Sequence, residues 1–273
     1  MTAVYTQWTE RDAAGLIAVP RESDDKYSRG VLGVITGSTM YPGAAVLGVE
    51  AALRTGLGMV RYLGPERPGA LVLSRRPEVV TVDGRVQAWL IGSGIDAVEG
   101  SESSKWMSAA IAQTVPIVLD GGALSLCDRA AGPVVITPHF RELAKLISGS
   151  PEDVSKDPAG AASSAAVQLG VTVLLKGHTT YVASPAGLLL RASVAPTWLA
   201  TAGAGDALGG ILGALVATHS EEAMTDPAAL ARLAATAAVI HGLAAERASA
   251  GGPLTVLDVA TAVSATIRAL LGR

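Results

Sequence analysis

Thr201-Ala202-Gly203-Ala204-Gly205-Asp206-Ala207, continued by Leu208-Gly209-Gly210-Ile211, is the stretch on which the reading of this chain turns. Two glycines separated by one residue precede an apolar run that reaches Thr218. Glycines in front of a helix leave its first amides free, and the helix dipole adds roughly half a positive charge there. Such an end suits a phosphate or a developing negative charge. Asp206 falls on the first turn, where a carboxylate can cap the helix or act as a base. The spacing is not a Walker A loop, since no G-x-x-x-x-G-K-[ST] occurs in the chain. Nor is it a dinucleotide fingerprint: the third glycine is missing at the required offset, and the loop lies far from the first strand.

Working outward, short β-branched runs alternate with Ala-rich stretches. The runs predict strands over Val31–Thr36, Met59–Leu63, Ala88–Ile91, Pro116–Asp120, Val134–Thr137, Thr172–Leu175 and Thr180–Ala183. Several are apolar throughout, as strands covered on both faces are. Helices are expected over Ala44–Thr55, Ser103–Thr114, Phe140–Ile147, Ala159–Leu169, Asp206–Thr218, Pro227–Arg247 and Leu257–Leu271. This order predicts an α/β fold, three layers α/β/α around a mostly parallel central sheet. In such sheets ligands bind beyond the carboxyl ends of the strands. Polar and glycine residues collect there: Gly37 to Gly43, Gly92-Ser93-Gly94, Asp120-Gly121-Gly122, Thr137-Pro138-His139 and Lys176-Gly177-His178. Five such ends predict one shared crevice.

Composition closes off other classes. Of 273 residues 49% are hydrophobic and only 16% charged, the opposite of a disordered chain. The net charge of −3 provides no global attraction to nucleic acid or anionic membrane, so neither partner is expected. The single cysteine, Cys127, cannot form an internal disulfide, which makes a cytoplasmic protein the default expectation. Glu10, Arg11 and Asp12 interrupt the start where a signal peptide would be apolar, and the longest apolar run, from Ala207 to Thr218, is too short to span a bilayer. No stretch has the composition of a linker, so one domain is expected over residues 1–273, with 1–25 as an N-terminal extension. No spacing resembles a zinc site or an EF-hand, and no residue is assigned as a metal ligand. His219 reads as a surface residue, His241 as a packed one, and Glu221-Glu222 as a solvated pair.

The Thr201–Ala207 loop resembles the signature of the ribokinase-like superfamily. Further segments are similar to the ADP-dependent NAD(P)H-hydrate dehydratases. They are Gly33-Val-Ile-Thr-Gly37-Ser38, Tyr41-Pro-Gly43-Ala44-Ala45, Ala51 to Val60, Ile91-Gly-Ser-Gly94, Val118-Leu-Asp120-x-x-Ala123-Leu124, Ile136-Thr-Pro-His139-x-x-Glu142, Leu174-Leu-Lys176-Gly177-x-x-Thr180, His241-Gly-Leu-Ala-Ala245 and Leu257-Asp258-Val259. The ordered set runs from Lys26 to the C-terminus.

The resemblance implies removal of water from hydrated NADH or NADPH (NADHX, NADPHX), with ADP or ATP as phosphoryl donor and Mg2+ carried by the nucleotide. It implies a ring hydroxyl that is phosphorylated and then eliminated as phosphate. Asp206 takes the place of the catalytic aspartate, which also touches substrate. Gly203, Ala204 and Gly205 match the anion-hole loop, and Lys176, Gly177, His178, Thr179 and Thr180 the nucleotide-binding run. Ala44, Gly94, Asp120 and His139 match substrate-contacting positions. A homo-oligomer, commonly a tetramer, is implied as well.

Three departures stand out. His178 and Thr179 replace small residues, Phe140-Arg141 replaces the usual Pro-Gly before Glu142, and Gly122 replaces the second aspartate of a motif that usually reads Asp-Ala-Asp-Ala-Leu. The alternatives on the same fold are an ATP-dependent small-molecule kinase, for a sugar or a thiamine precursor, and a nucleotide-binding protein without turnover. The Tyr41–Ala44 and Thr137–His139 segments favour the dehydratase.

Overall fold

The computed structural model describes residues 4–95 and 101–273. The strands are β1 (Thr6–Gln7), β2 (Val31–Ile35), β3 (Met59–Tyr62), β4 (Ala88–Ile91), β5 (Ile117–Leu119), β6 (Val134–Ile136), β7 (Thr172–Leu175), β8 (Thr180–Ala183) and β9 (Leu189–Ala192). The helices are α1 (Glu10–Ala14), α2 (Pro42–Thr55), α3 (Glu66–Arg75), α4 (Glu102–Ile111), α5 (Phe140–Leu146), α6 (Pro151–Lys156), α7 (Pro158–Leu169), α8 (Ala204–Thr218), α9 (Ser220–Thr225), α10 (Ala229–Ser249) and α11 (Val256–Leu270). Two 3-10 turns lie at Gly121–Leu126 and Thr197–Leu199.

One sheet takes all nine strands in the order β1-β9-β8-β7-β6-β5-β4-β2-β3. From β3 to β7 the pairing is parallel; β8 runs antiparallel between β7 and β9. The all-apolar runs are buried on both faces, as such strands require. Leu32, Val34, Leu90, Val118 and Leu174 pack under α2, α8, α10 and α11. Their neighbours Val31, Ile35, Trp89, Ile117 and Val173 pack on α4, α5 and α7. The three layers expected from the alternation are therefore present.

Caps decide where the helices begin and end. Pro42 opens α2, where its missing N–H costs nothing, and Gly56 ends it in the left-handed region at φ 107°. Asp157 caps α7 through a bond from Gly160 N. Helices α2 and α8 cross so closely that a β-carbon at Gly210 would lie 2.1 Å from the Gly48 carbonyl oxygen. That contact fixes the height of α8 over the sheet.

Several expectations need correction. The N-terminal extension is tied to the fold: β1 pairs with β9, Ala13 is buried, and Trp8 Nε1 donates to Thr236 Oγ1 at 3.0 Å. The apolar helix α10 is, by length and composition, long enough to cross a membrane, but 83% of its apolar window is buried inside the fold. It is the central core helix, and its length escapes a search for unbroken apolar runs because Arg232 and His241 interrupt it. Glu222 is not simply solvated: it accepts from Arg232 at 2.6 Å, as does Asp226.

Candidate active site

The chain order reverses between β2 and β4, the position in an open α/β sheet where a crevice opens. At the end of β4, Gly92 and Gly94 adopt φ of 109° and 66°, values that side chains resist. A β-carbon at Gly94 would sit 2.6 Å from the Ala44 β-carbon. The two expected substrate-side positions are thus pressed together at the start of α2. Between the glycines, buried Ser93 donates its hydroxyl to Asp206 Oδ1.

Gly203, at φ 92°, turns the chain into α8 and places Asp206 in its first turn. The first-turn amides of Gly205 and Asp206 have no intrahelical partner, and no loop carbonyl or side chain takes them among the described residues. Asp206 also faces the ends of β5 and β7. There Lys176 Nζ donates to Asp120 Oδ1 at 2.7 Å and stands 3.9 Å from Glu142 Oε2. A β-carbon at Gly205 would lie 3.4 Å from that ammonium and 4.0 Å from Asp120 Oδ2. Burial raises the proton affinity of Asp206; the Ser93 hydroxyl opposes this, the Asp120 charge adds to it, and Lys176 counters it. The result is a carboxylate more basic than an ordinary aspartate, held beside a cation and a helix N-terminus.

His139 caps α5. Its Nδ1 accepts from Glu142 N at 3.1 Å, while its own amide donates to Glu142 Oε2 at 2.7 Å. With Nδ1 occupied as an acceptor, the neutral ring carries its proton on Nε2. Lys176 N donates to Pro138 O at 2.9 Å, which ties this cap to the lysine.

A cavity of about 640 Å3 opens on the other side of α8. Lys176, Gly177, His178, Thr180, Ala204 and Gly205 line one part of it. Apolar Val194, Pro196, Leu199, Leu208 and Ala238 line the rest. His139 also borders it, at the cap that Lys176 N bonds to. Thr179 does not line the cavity; its hydroxyl accepts from Ser193 Oγ at 3.2 Å and ties the β7–β8 turn to the end of β9.

Gly122 has a steric cause. A β-carbon there would lie 2.2 Å from the Ile95 carbonyl oxygen, and its amide donates to Gly92 O at 3.2 Å. Among the described residues no cluster of three or more His, Cys, Asp or Glu side chains is arranged to hold a metal ion.

Sequence reasoning missed Ser93 as a partner of Asp206, because 113 positions separate them. It also missed the apolar wall of residues 194–199, which reads as a loop. His241 is buried as expected, yet it borders the cavity, its Nε2 has no partner, and burial pushes its imidazole down to about 4. His219 is half-buried rather than on the surface, its Nδ1 3.0 Å from Leu215 O.

Residues 32–267 match the family model described as NAD(P)H-hydrate dehydratase. The chain belongs to the NAD(P)H-hydrate dehydratase family. Among relatives of this dehydratase family, the bifunctional NAD(P)H-hydrate repair enzyme Nnr of Mycobacterium tuberculosis is 42% identical over 219 residues, 76% of this chain and 45% of that protein. The chain thus spans about half the length of the Nnr relatives it matches. The ADP-dependent (S)-NAD(P)H-hydrate dehydratase of Neisseria meningitidis is 32% identical over 215 residues, 72% of each chain. The ADP/ATP-dependent NAD(P)H-hydrate dehydratase of Bacillus subtilis, co-crystallised with ATP/Mg2+, superposes with a TM-score of 0.84. It covers 97% of this chain and 99% of its own, at 24% identity, and so establishes a shared fold, to which a ribokinase-like superfamily protein of Enterococcus faecalis also superposes with a TM-score of 0.82 at 20% identity.

Proposed function

We propose that this chain is one dehydratase domain, a hydro-lyase that returns the (6S) forms of NADHX and NADPHX to NADH and NADPH using ADP or ATP. The continuous nine-stranded sheet, which takes in residues 6–192, supports the one-domain reading. The observation that carries the function is the placement of a partly buried Asp206, more basic than an ordinary aspartate, in the first turn of the helix whose Ala204 and Gly205 line the cavity. On one side lies the end of β4, where Gly94 meets Ala44 and Ser93 bonds Asp206; on the other is the cavity lined by Lys176, Gly177, His178 and Thr180.

The cavity volume lies within the usual range for small-molecule sites, about 300–1,000 Å3. Its apolar wall suits a nucleobase and its Lys176 end suits phosphates, with Gly203, Ala204 and Gly205 supplying the loop that faces them. Mg2+ would enter with the phosphates. Asp206 takes the proton of the ring hydroxyl as that oxygen bonds to the terminal phosphorus and the nucleotide's bridging oxygen leaves. Unpaired amides at the start of α8 meet the charge that develops on the phosphoryl oxygens. Loss of phosphate and one ring proton then restores the ring double bond. Asp120 holds Lys176 in place by an ion pair at 2.7 Å, and His139 Nε2–H is available to donate to substrate. The single unpaired cysteine, Cys127, supports a cytoplasmic location, and assembly into a tetramer is left to be measured.

The test is recovery of reduced-nicotinamide absorbance from hydrated NADH and hydrated NADPH with magnesium, run with ADP and with ATP in parallel. Nucleotide-dependent recovery supports the reading and identifies the donor. Phosphorylation of another alcohol without any recovery would replace it by the kinase alternative.

A further inference from the structure

Asp206 has two oxygens in different surroundings. Oδ1 accepts from Ser93, while Oδ2 has no hydrogen-bond partner among the described residues and lies 3.8 Å from where a β-carbon on Gly203 would be. Ser93 is itself immobilised. It is 5% exposed, and its carbonyl oxygen accepts from Gly37 N at 2.7 Å. The preceding Gly92 donates to Ile35 O at 2.9 Å and accepts from Gly122 and Ile95. Glycines in the left-handed region flank it on both sides, so the backbone that carries the hydroxyl is fixed at the end of β4.

We propose that Ser93 is a positioning residue for Asp206: its hydroxyl holds Oδ1 and leaves Oδ2 as the oxygen that receives the proton. This rests on the dehydratase reading for its catalytic meaning, though not for its geometry. A hydrogen bond to the charged form of an acid favours that form. Ser93 therefore keeps the base ionised against the burial and the Asp120 charge that favour protonation. The other charged groups around the pair are Lys176 at the end of β7 and Glu142, 3.9 Å from its Nζ. His139 caps the helix that carries Glu142, and His241 of α10 is held neutral by burial. None of them bonds to Asp206, so Ser93 is the one direct donor among the described residues.

The experiment is a carboxyl NMR titration of Asp206 in the wild-type chain, Ser93→Ala and Ser93→Thr, without substrate, alongside the pH profile of kcat/KM for recovery of NADH. In Ser93→Ala the Asp206 titration moves up by about one pH unit, and the acid limb moves with it. Activity falls about tenfold below that limb and converges with wild type well above it. Ser93→Thr keeps the hydroxyl and the wild-type titration. An Asp206 titration unchanged in Ser93→Ala, or moved equally in both variants, overturns the proposal. The NMR arm needs no turnover: a wild-type chain that fails to restore NADH removes the dehydratase reading, while the titration still decides the role of Ser93.

Discussion

Gly122→Asp restores the carboxylate that the Asp-Ala-Asp-Ala-Leu motif carries, and the structure says that it will not fit. The β-carbon would stand 2.2 Å from Ile95 O and 3.2 Å from Ile95 C. Non-bonded carbons and oxygens do not approach so closely, so one of the two backbones must move by about 1 Å. The amide bond from Gly122 to Gly92 O and the turn that carries Ser93 lie in the path of that movement. Overpacking of this kind costs about 1–3 kcal/mol. For a chain of this size each kcal/mol lowers Tm by about 2–4 °C, so the expected loss is about 2–12 °C. Because the displaced turn positions Ser93 against Asp206, turnover below the acid limb should fall as well. Differential scanning calorimetry and the NADH-recovery assay measure both effects. A Gly122→Asp variant with wild-type Tm and equal or higher activity would refute the steric argument and make the glycine a simple loss of function.

Lys176→Met should weaken ADP or ATP binding about tenfold to a hundredfold, the equivalent of one charge-assisted hydrogen bond; an unchanged Kd by titration calorimetry would remove Lys176 from the nucleotide site. Glu50 is fully buried and accepts from Arg54 at 3.2 Å, with Arg75 at 3.4 Å and Arg76 closer still. Burial pushes its carboxyl up, but the Arg76 guanidinium and its neighbours hold it below the usual range. Its contribution is present at neutral pH and lost as acid protonates it below that range. Glu50→Gln should therefore lower stability by about 3 kcal/mol in urea unfolding at pH 7, near the low end for a broken buried pair because the arginines are partly solvated. The gap should close in acid; a gap independent of pH would assign the loss to packing.

What the sequence disclosed follows from where its signals are local. Ala88–Ile91, Thr172–Leu175 and Thr180–Ala183 are apolar or β-branched on both faces, and the strands match these bounds. The α8 loop announces itself by three residues in a row, Gly203, Ala204 and Gly205. Strand β9 escaped because Arg191 breaks its apolar pattern and β1 because it is two residues long. Helix α3 was hidden by Pro68 and Gly69, which read as breakers but sit in the first turn, where proline is tolerated. The site is harder to read because its contacts join distant segments. Ser93 to Asp206, Asp120 to Lys176 and the cavity wall of residues 194–199 exist only once the strand ends are brought side by side.

The central claim is that Asp206 accepts the hydroxyl proton in a nucleotide-dependent dehydration. Asp206→Asn keeps the shape and removes the base, so turnover of hydrated NADH should fall by about 10²–10⁴. Nucleotide affinity should stay within a few-fold of wild type, because Lys176, Gly177, His178 and Thr180 line the cavity without it. Measured together in one preparation, lost turnover with retained binding is the predicted result. Full turnover in Asp206→Asn would contradict the account.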